Sequence, residues 1–389
     1  MAIDFEFKIL TAGSAAEQFT ELLAQSFLAD ANVERQELEA LGYGQGRVVY
    51  RDRDLAGGLV LIPMAQWFGG KAVPMTGVAS VAISPHYRGQ GAAQQLMRSC
   101  LQELHHRRVA LSTLYPAAQG LYRRVGYGHG GSYCCWQVAS KSIQSAKPGL
   151  PVQPLNLTVQ SLKPLYERQA QAHSGCLQRA PLLWQRLLRP QNHSLYCYGF
   201  GPPDALEGYV LFNQSRSPGG STLEIRDWVL LTAAAAQSFW GFMGAHRSQI
   251  DTITWRGGAV DRLGDSLPEQ TATIIKSMIW MTRIVHLEEA LLHRGYPPIN
   301  AELHLRVQDP LLSSNQGLFC LTVQNGQPSF ELGGRGELEL TIDALASLYT
   351  GIWSARQLHQ MGLLQASEPA LATANVLFRD SAPWLSDFF

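Results

Sequence analysis

One stretch decides how the first part of the chain folds: Val78-Ala79-Ser80-Val81-Ala82-Ile83-Ser84-Pro85-His86-Tyr87-Arg88-Gly89-Gln90-Gly91-Ala92-Ala93. From Gly77 to Ile83 the residues are small or β-branched, which is typical of a buried strand. From Ala92 to His106 apolar residues recur at helical spacing. Between them lies a loop with two glycines, and a helix that begins after such a loop presents several backbone N–H groups without intrahelical partners. The stretch therefore predicts a strand, a pyrophosphate-binding loop and a helix.

The spacing within the loop narrows the choice of ligand. It contains neither Gly-x-x-x-x-Gly-Lys-Ser/Thr nor Gly-x-Gly-x-x-Gly. Its Arg-x-x-Gly-x-Ala pattern, at Arg88, Gly91 and Ala93, resembles the acetyl-CoA signature of the GNAT N-acetyltransferases. The alternative is an ordinary strand-to-helix turn whose glycine supplies a positive φ. The resemblance implies that the cofactor is bound by these residues: Val81, Ala82, Ile83, Arg88, Gly89, Gln90, Gly91, Ala92, Ala93 and Gln94.

Length, charge and hydropathy bound the class of protein. A chain of 389 residues exceeds what one hydrophobic core usually serves, so two or three domains are expected. The 31 basic residues balance 31 acidic ones, which argues against nucleic acid as the main partner. We find no apolar run of membrane-spanning length, and the segment Met1–Glu6 lacks the features of a signal peptide. The sequence therefore predicts a cytoplasmic protein without membrane contact.

Six cysteines in so long a chain do not indicate a disulfide framework. No Cys-x-x-Cys spacing occurs, so a structural zinc site is not expected. We interpret the cysteines as free thiols and predict no metal.

A tyrosine segment follows the strand predicted over Val109–Tyr115. It reads Leu121-Tyr122-Arg123-Arg124-Val125-Gly126-Tyr127-Gly128, and it resembles the equivalent segment of the enhanced intracellular survival (Eis) family of acetyltransferases. By that match Tyr122, and not Tyr127, is the general acid. A phenol with a pKa near 10 is protonated at neutral pH and can hydrogen-bond a departing thiolate. The alternative is a buried structural tyrosine.

The rest of the chain gives the domain layout. A weaker strand and helix pattern repeats to about residue 282, and at Thr232, where a second phosphate loop would lie, there is no glycine. The last segment carries the hairpin signal Asn325-Gly326 and resembles a sterol-carrier-like α+β domain.

The predicted fold is α/β and α+β: two tandem GNAT-like domains, then a sterol-carrier-protein-like domain. The predicted boundaries are 1–148 for the catalytic GNAT domain with the acetyl-CoA site, 149–282 for a degenerate GNAT-like domain, and 283–389 for the sterol-carrier-like domain, whose C-terminus completes the active site.

Three local expectations accompany this layout. A helix over Ala15–Leu28 is predicted to be capped by Thr11 or Ser14. Arg283–Arg294 is predicted to be helical, and Ala374–Phe389 is treated as a tail.

The general base is not found on the predicted strand, since Gly77–Ile83 contains no ionisable side chain. The chain ends in Phe388-Phe389, and each phenylalanine gains about 1.5–3 kcal/mol when fully buried. Burial of Phe389 would carry the α-carboxylate with it, and desolvation raises the pKa of a carboxyl group. The Eis resemblance implies that this terminal carboxylate is the general base. The alternative is a tail that is packed only for stability.

An acidic run, with Asp30, Glu34, Glu37 and Glu39, follows the first predicted helix. Such a run is often a solvated helix face. The Eis resemblance implies instead an acidic pocket for a cationic acceptor, with Asp30 as the first choice for substrate binding.

The sequence as a whole predicts an acetyl-CoA-dependent N-acetyltransferase that acts on primary amines of polycationic small molecules such as aminoglycosides. Two alternatives stay open: acetylation of protein or peptide lysines, and a non-catalytic CoA- or lipid-binding module. The family resemblance also implies a homo-oligomer, namely a hexamer.

Overall fold

The computed structural model describes residues 5–143, 149–189 and 193–389. Residues 1–4, at the start of the segment interpreted as lacking a signal peptide, and residue 148, the predicted end of the first domain, lie outside the described residues. The chain divides into two compact units. The first comprises 1–130, 280–380 and Phe389, and the second comprises 131–279 and 381–388. We describe each unit by itself.

The elements of the first third of the chain alternate between strands and helices. They are β1 (Glu6–Ile9), α1 (Ser14–Phe27), α2 (Ala31–Leu41), β2 (Gly46–Arg51), β3 (Asp54–Phe68), β4 (Lys71–Ile83), α3 (Ala92–His106), β5 (Leu111–Leu114), α4 (Gln119–Arg123) and β6 (Gly128–Ala139).

The middle third repeats this alternation. Its elements are β7 (Val152–Pro154), α5 (Val159–Gln171), β8 (Leu177–Gln178), α6 (Pro181–Leu188), β9 (Leu195–Phe200), β10 (Gly208–Ser217), β11 (Gly220–Leu230), α7 (Ala233–Ala245), β12 (Thr252–Gly257), α8 (Arg262–Asp265) and β13 (Thr273–Ile284).

The last third contains one small sheet and four helices. Its elements are α9 (Leu287–His293), β14 (Ala301–Gln308), β15 (Gly317–Gln324), β16 (Gln327–Leu332), β17 (Leu338–Thr341), α10 (Ile342–Thr350), α11 (Ala355–Gln360), β18 (Leu364–Ala366) and α12 (Glu368–Leu377).

The N-terminal sheet of the first unit has the strand order β1-β2-β3-β4-β5-β13. Its neighbouring strands are antiparallel except β4 and β5, which are parallel. Helix α3 buries Leu96, Leu101 and Leu104 completely in the hydrophobic cluster on this sheet. Full burial of one such side chain stabilises the fold by about 1.5–3 kcal/mol, so α3 is held firmly behind β4.

The C-terminal sheet of the first unit has the order β16-β15-β14-β17-β18. The β15–β16 hairpin turns at Asn325 (φ 48°) and Gly326 (φ 79°). Two central residues with positive φ give the turn whose twist suits a two-residue hairpin, which confirms the sequence signal.

The second unit has the strand order β6-β12-β11-β10-β9-β7. Strand β11 is followed by helix α7 and then by β12, which is parallel to β11. This repeats the β4-α3-β5 arrangement of the first unit. The fold is therefore two GNAT-like α/β parts and an α+β part, as the sequence predicts.

Three local predictions were wrong. The N-cap of α1 is Gly13 (φ 89°), and Ser14 is already helical, so neither proposed side chain caps the helix. Arg283 lies on β13, and the helix begins only at Leu287. The predicted tail starts inside α12, a helix that begins after its N-cap Ser367. Within the described ranges, no helix is both long and apolar enough to cross a membrane.

Candidate active site

Strands β4 and β5 part at the point where the sequence predicts the cofactor cleft. Their parallel pairing covers Met75–Gly77 and Leu111–Thr113 and stops there, while β4 continues to Ile83. On its other side β4 contains a bulge, because Leu59 of β3 faces both Ser80 and Val81. A bulge bends its strand and increases the local twist, so it turns the end of β4 away from β5.

Ser80 adopts a left-handed backbone conformation inside this bulge (φ 53°). A residue other than glycine rarely adopts such a φ, and the cost is of order 1–3 kcal/mol unless the surroundings compensate. Val81 and Ile83 follow it and are half-buried. The strained residue thus begins the stretch of β4 whose backbone is not paired with β5.

The loop before α3 has the geometry of an anion cradle. Gly89 and Gly91 adopt positive φ values of 76° and 91°, and a Cβ at either position would have nothing within 4 Å. Gly91 is the N-cap of α3, and no side chain caps the helix. The N–H groups of Ala92, Ala93 and Gln94 therefore begin the helix without intrahelical acceptors. Open space, uncapped amides and the positive end of the helix dipole together fit a pyrophosphate.

Arg88 and Gln90 hold the loop in shape. The exposed Arg88 donates from Nε to the carbonyl oxygen of Ile83 (3.2 Å). Gln90 donates from Nε2 to the carbonyl oxygen of His86 (2.6 Å) and accepts from Arg51 (2.9 Å). Arg88 thus keeps donors available for a phosphate, while Gln90 serves mainly to order the turn.

The two tyrosines of the Leu121–Gly128 segment differ in what their hydroxyl groups do. Tyr127 is fully buried, and its hydroxyl lies 2.7 Å from Ser112 Oγ. Tyr122 is 4% exposed, and among the described residues no protein group hydrogen-bonds its hydroxyl. Burial raises the pKa of Tyr122 to about 12. The hydroxyl of Tyr122 is therefore protonated and can donate a hydrogen bond to a ligand, whereas the hydroxyl of Tyr127 already has a partner in Ser112.

Phe389 is buried at the same point of the sheet. It is 8% exposed, and its ring packs edge-on against Tyr115, with a centroid separation of 5.7 Å. A Cβ on Gly77 would stand 2.8 Å from the Phe389 ring. Gly77 is the last β4 residue paired with β5, and Tyr115 follows β5 directly. The last residue of the chain therefore lies where the two strands part.

Tyr122 packs in the hydrophobic core beneath this sheet. It belongs to the hydrophobic cluster that contains Val78 and Leu114, the residues that follow the last paired positions of β4 and β5. Phe389 thus lies at the end of the β4–β5 pair, and Tyr122 shares a hydrophobic cluster with residues of both strands.

A buried polar row on this sheet was missed by the sequence analysis. Thr113 Oγ1 donates to Gln66 Oε1 (3.0 Å) and lies 2.9 Å from Thr282 Oγ1. Thr113 is the β5 partner of Gly77, so the row passes beside the cleft. The three residues come from three distant strands, and no local sequence signal joins them.

Asp30 has a structural task. It is the N-cap of α2, and its side chain accepts from the N–H of Asn32 (2.7 Å). The residue is exposed. Capping explains an aspartate at this position, and the substrate-binding role of Asp30 stays a prediction.

The second GNAT-like part closes the corresponding helix terminus. Thr232 is the N-cap of α7, and its side chain accepts from the N–H of Ala235 (3.1 Å). Where α3 begins with a bare glycine, α7 begins with a side-chain cap. The α7 terminus therefore offers one free amide fewer than the α3 terminus, and the degenerate character of the second part stays a prediction.

The six cysteines are free thiols, as predicted. Glu302, His304 and Cys320 place ligand atoms within 4.8 Å of one another, a spacing that metals use. However, His304 Nδ1 accepts from the N–H of Arg335 (3.3 Å), so the proton lies on Nε2, which faces Glu302 at 2.6 Å. A protonated nitrogen does not ligate a metal, and the arrangement fits a hydrogen-bonded ion cluster better.

Comparisons with known proteins agree with this geometry. Acetyltransferase (GNAT) domains match residues 9–130 and 175–284, and a sterol carrier protein domain matches residues 287–386. An uncharacterized N-acetyltransferase of Streptomyces griseus is 26% identical over 411 residues, which cover 98% of this chain and 94% of that protein.

Solved structures extend the similarity to the whole fold. Eis1 from Mycobacterium abscessus shares the fold (TM-score 0.82, 22% identity) over 99% of this chain and all of that one. A GCN5-related N-acetyltransferase from Anabaena variabilis is 45% identical with a TM-score of 0.97, over 99% of this chain and 100% of that one. At that identity and coverage, the chain belongs to the GCN5-related N-acetyltransferase family and is an acetyltransferase that uses acetyl-CoA as co-substrate.

Proposed function

We propose that this acetyltransferase is of the Eis type and acetylates primary amines of polycationic small molecules, with aminoglycosides as the model acceptors. Tyr122 is the general acid, and the terminal carboxylate of Phe389 is the general base. The observation that carries the proposal is the burial of Phe389 against Gly77 and Tyr115, where β4 and β5 part. A residue seated there brings its carboxylate to the end of the cleft that would hold the thioester.

Binding of acetyl-CoA is assigned to the loop and to the end of β4. The uncapped amides of Ala92–Gln94 and the Arg88 guanidinium bind the pyrophosphate, with Gly89 and Gly91 leaving room for it. The free backbone of Val81–Ile83 pairs with the pantetheine arm, because β5 has left that edge. Arg88 uses Nε for its bond to Ile83 and keeps its other N–H groups for a phosphate, and the edge of Val81–Ile83 that faces away from β3 is not paired with β5.

The chemical step needs one base and one acid. The acceptor nitrogen attacks the thioester carbonyl carbon and loses a proton to the Phe389 carboxylate, the C–S bond breaks, and Tyr122 donates to the departing sulfur. The raised pKa of Tyr122 makes it a poor acid for a thiol-like leaving group, whose pKa is about 8.5. A bound polycation lowers a nearby phenol pKa, so the acceptor itself improves the acid.

Acceptor binding, assembly and location complete the proposal. Asp30 contributes negative charge for a cationic acceptor, and the enzyme is a cytoplasmic homo-oligomer, namely a hexamer. Lysine side chains of proteins or peptides present the same amine and are the alternative acceptors.

The test is to add one glycine after Phe389, which moves the carboxylate by one residue. We expect an unchanged Kd for acetyl-CoA and a loss of thiol release of about 10²-fold with aminoglycosides. The matched control carries the same glycine at the N-terminus and is expected to keep full activity. Full activity of the C-terminal variant, with equal thermal stability, would exclude the carboxylate as base. Lysine peptides, tested alongside, decide between the acceptor classes.

A further inference from the structure

Three cations line one cavity in the second unit. The cavity has a volume of ≈420 Å³ and is lined by Lys141, Arg216 and Arg247, among other residues. All three side chains are exposed, and within the described part of the chain none of them forms an ion pair or a hydrogen bond. Cations without partners in one concave site raise the local concentration of anions.

The three cations come from three separate segments of the second unit. Lys141 follows β6, Arg216 is near the end of β10, and Arg247 follows α7. Asp251, which precedes β12, hydrogen-bonds the residue before Lys141 and also Ser221, the β11 partner of Arg216. Its N–H donates to the carbonyl oxygen of Ser221 (2.9 Å), and its own carbonyl oxygen accepts from the N–H of Ser140 (2.9 Å).

Among the described residues that line this cavity, Asp251 is also the one acidic side chain. It accepts from the N–H and the hydroxyl of Ser221, both at 2.8 Å. These hydrogen bonds, and then the nearby Lys141 and Arg216, lower the pKa of Asp251, so it is ionised. The described lining therefore carries an excess of two positive charges, and the Asp251 carboxylate is already hydrogen-bonded to Ser221.

The size and chemistry of the site select its ligand. The volume lies within the range of about 300–1,000 Å³ that is usual for small-molecule sites. Two arginines can each bind phosphate oxygens through two parallel N–H groups, and a lysine adds a point charge. We propose that this cavity, the Lys141 site, binds a small molecule that carries two or more phosphate groups, and that it does so independently of the acetyl-CoA site.

The experiment uses calorimetric titration of the full-length protein with inorganic pyrophosphate at constant ionic strength. The double variant Arg216→Ala/Arg247→Ala is compared with Arg53→Ala/Arg379→Ala, which removes two exposed arginines elsewhere. Arg88→Ala reports on pyrophosphate bound at the acetyl-CoA loop instead. We expect affinity to fall at least tenfold in the first variant and to persist in the other two.

Further titrations separate the outcomes. Adenosine diphosphate shows whether a nucleotide is preferred over a free polyphosphate, and either preference supports the site. Three results would overturn the proposal: absence of binding, equal weakening in both double variants, or a short RNA that binds far more tightly than either ligand. The first double variant should keep its Kd for acetyl-CoA, so failure of this site is distinguishable from failure of the proposed acetyl transfer.

Discussion

The ring of Phe389 covers the α-carbon of Gly77. A Cβ on Gly77 would stand 2.8 Å from Cε2 of Phe389 and 2.7 Å from Cε of Met64. The Met64 side chain ends in a flexible methyl group that can move, whereas the Phe389 ring also packs against Tyr115. Glycine at position 77 is therefore what lets the last residue seat itself against β4.

Gly77→Ala should displace Phe389 and with it the terminal carboxylate. Overpacking of this kind costs about 1–3 kcal/mol, and a shift of about 1 Å at a catalytic group can cost about 10²-fold in rate. We expect kcat to fall at least tenfold while the Kd for acetyl-CoA is kept, measured by thiol release and by titration. Gly44→Ala is the control, because a Cβ there meets nothing within 4 Å. Equal kcat values for the two variants would show that catalysis does not depend on the packing of Phe389 against Gly77.

Tyr122→Phe should lower kcat/KM by about 10²-fold without loss of acetyl-CoA affinity. The matched variant is Tyr127→Phe, which removes the buried hydrogen bond to Ser112 and should cost about 1–3 kcal/mol of stability instead. Kinetics and urea denaturation of both variants check this. A rate loss in Tyr127→Phe alone would reverse the assignment of the acid.

The raised pKa of Tyr122 also predicts a pH effect on stability. The unfolded phenol ionises near pH 10, while the folded one holds its proton to about pH 12, so stability falls as the pH rises through this window. We compare the free energy of unfolding of the wild type with that of Tyr122→Phe at two pH values. The wild-type value minus the variant value should be about 1.4 kcal/mol lower at pH 11 than at pH 8. If the difference in free energy of unfolding between the two proteins is the same at pH 8 and at pH 11, the pKa of Tyr122 is not raised by folding.

Ser80→Val tests the strained residue of the bulge. A β-branched side chain at φ 53° is disfavoured, so we expect about 1–3 kcal/mol of destabilisation and a raised KM for acetyl-CoA. Ser80→Gly relieves the same strain and should be at least as stable as the wild type. If Ser80→Val and Ser80→Gly have the same stability and the same KM for acetyl-CoA, the bulge does not depend on the left-handed conformation of residue 80.

Arg179→Met tests the buried ion cluster of the second unit. The guanidinium donates to both carboxylate oxygens of Asp227 (2.7 and 2.9 Å) and to Asp387 (2.8 Å). Its removal leaves buried carboxylates without a counter-charge, which costs about 3–5 kcal/mol. The tail segment 381–388 should then be cut readily by proteases.

An exposed ion pair provides the comparison for this effect. Arg356 donates to Glu368 at 2.8 Å on the surface, so Arg356→Met should cost about 0–1 kcal/mol. A cost for Arg179→Met as small as that for Arg356→Met would mean that the buried cluster adds little to stability.

The sequence predicted the local secondary structure around the candidate site well. Strand β4 ends at Ile83 and helix α3 spans Ala92–His106, as predicted, because their residue patterns are typical of a strand and a helix and two glycines separate them. The preference for Tyr122 over Tyr127 came from family resemblance, and the hydroxyl partners now provide a physical reason for it.

The sequence did not reveal features that depend on distant segments. Arg283 interrupts the apolar pattern of β13, yet it is fully buried because Asp309 pairs with it. Nothing local marks Ser80 as left-handed, since its φ results from the pairing of β4 with β3. The row Gln66, Thr113 and Thr282 likewise exists only after three strands have met.

The pairing of β5 with β13 has a consequence for biosynthesis. Residues 281–284 of β13 pair with residues 111–114 of β5. The β5 edge of the N-terminal sheet therefore stays unpaired until residues about 170 positions later in the chain have been synthesised. During translation at ~5–20 residues per second, that edge stays uncovered for roughly ten seconds or longer. The nascent chain should therefore depend on chaperones during this interval, and a fragment that ends near residue 140 should aggregate when expressed alone.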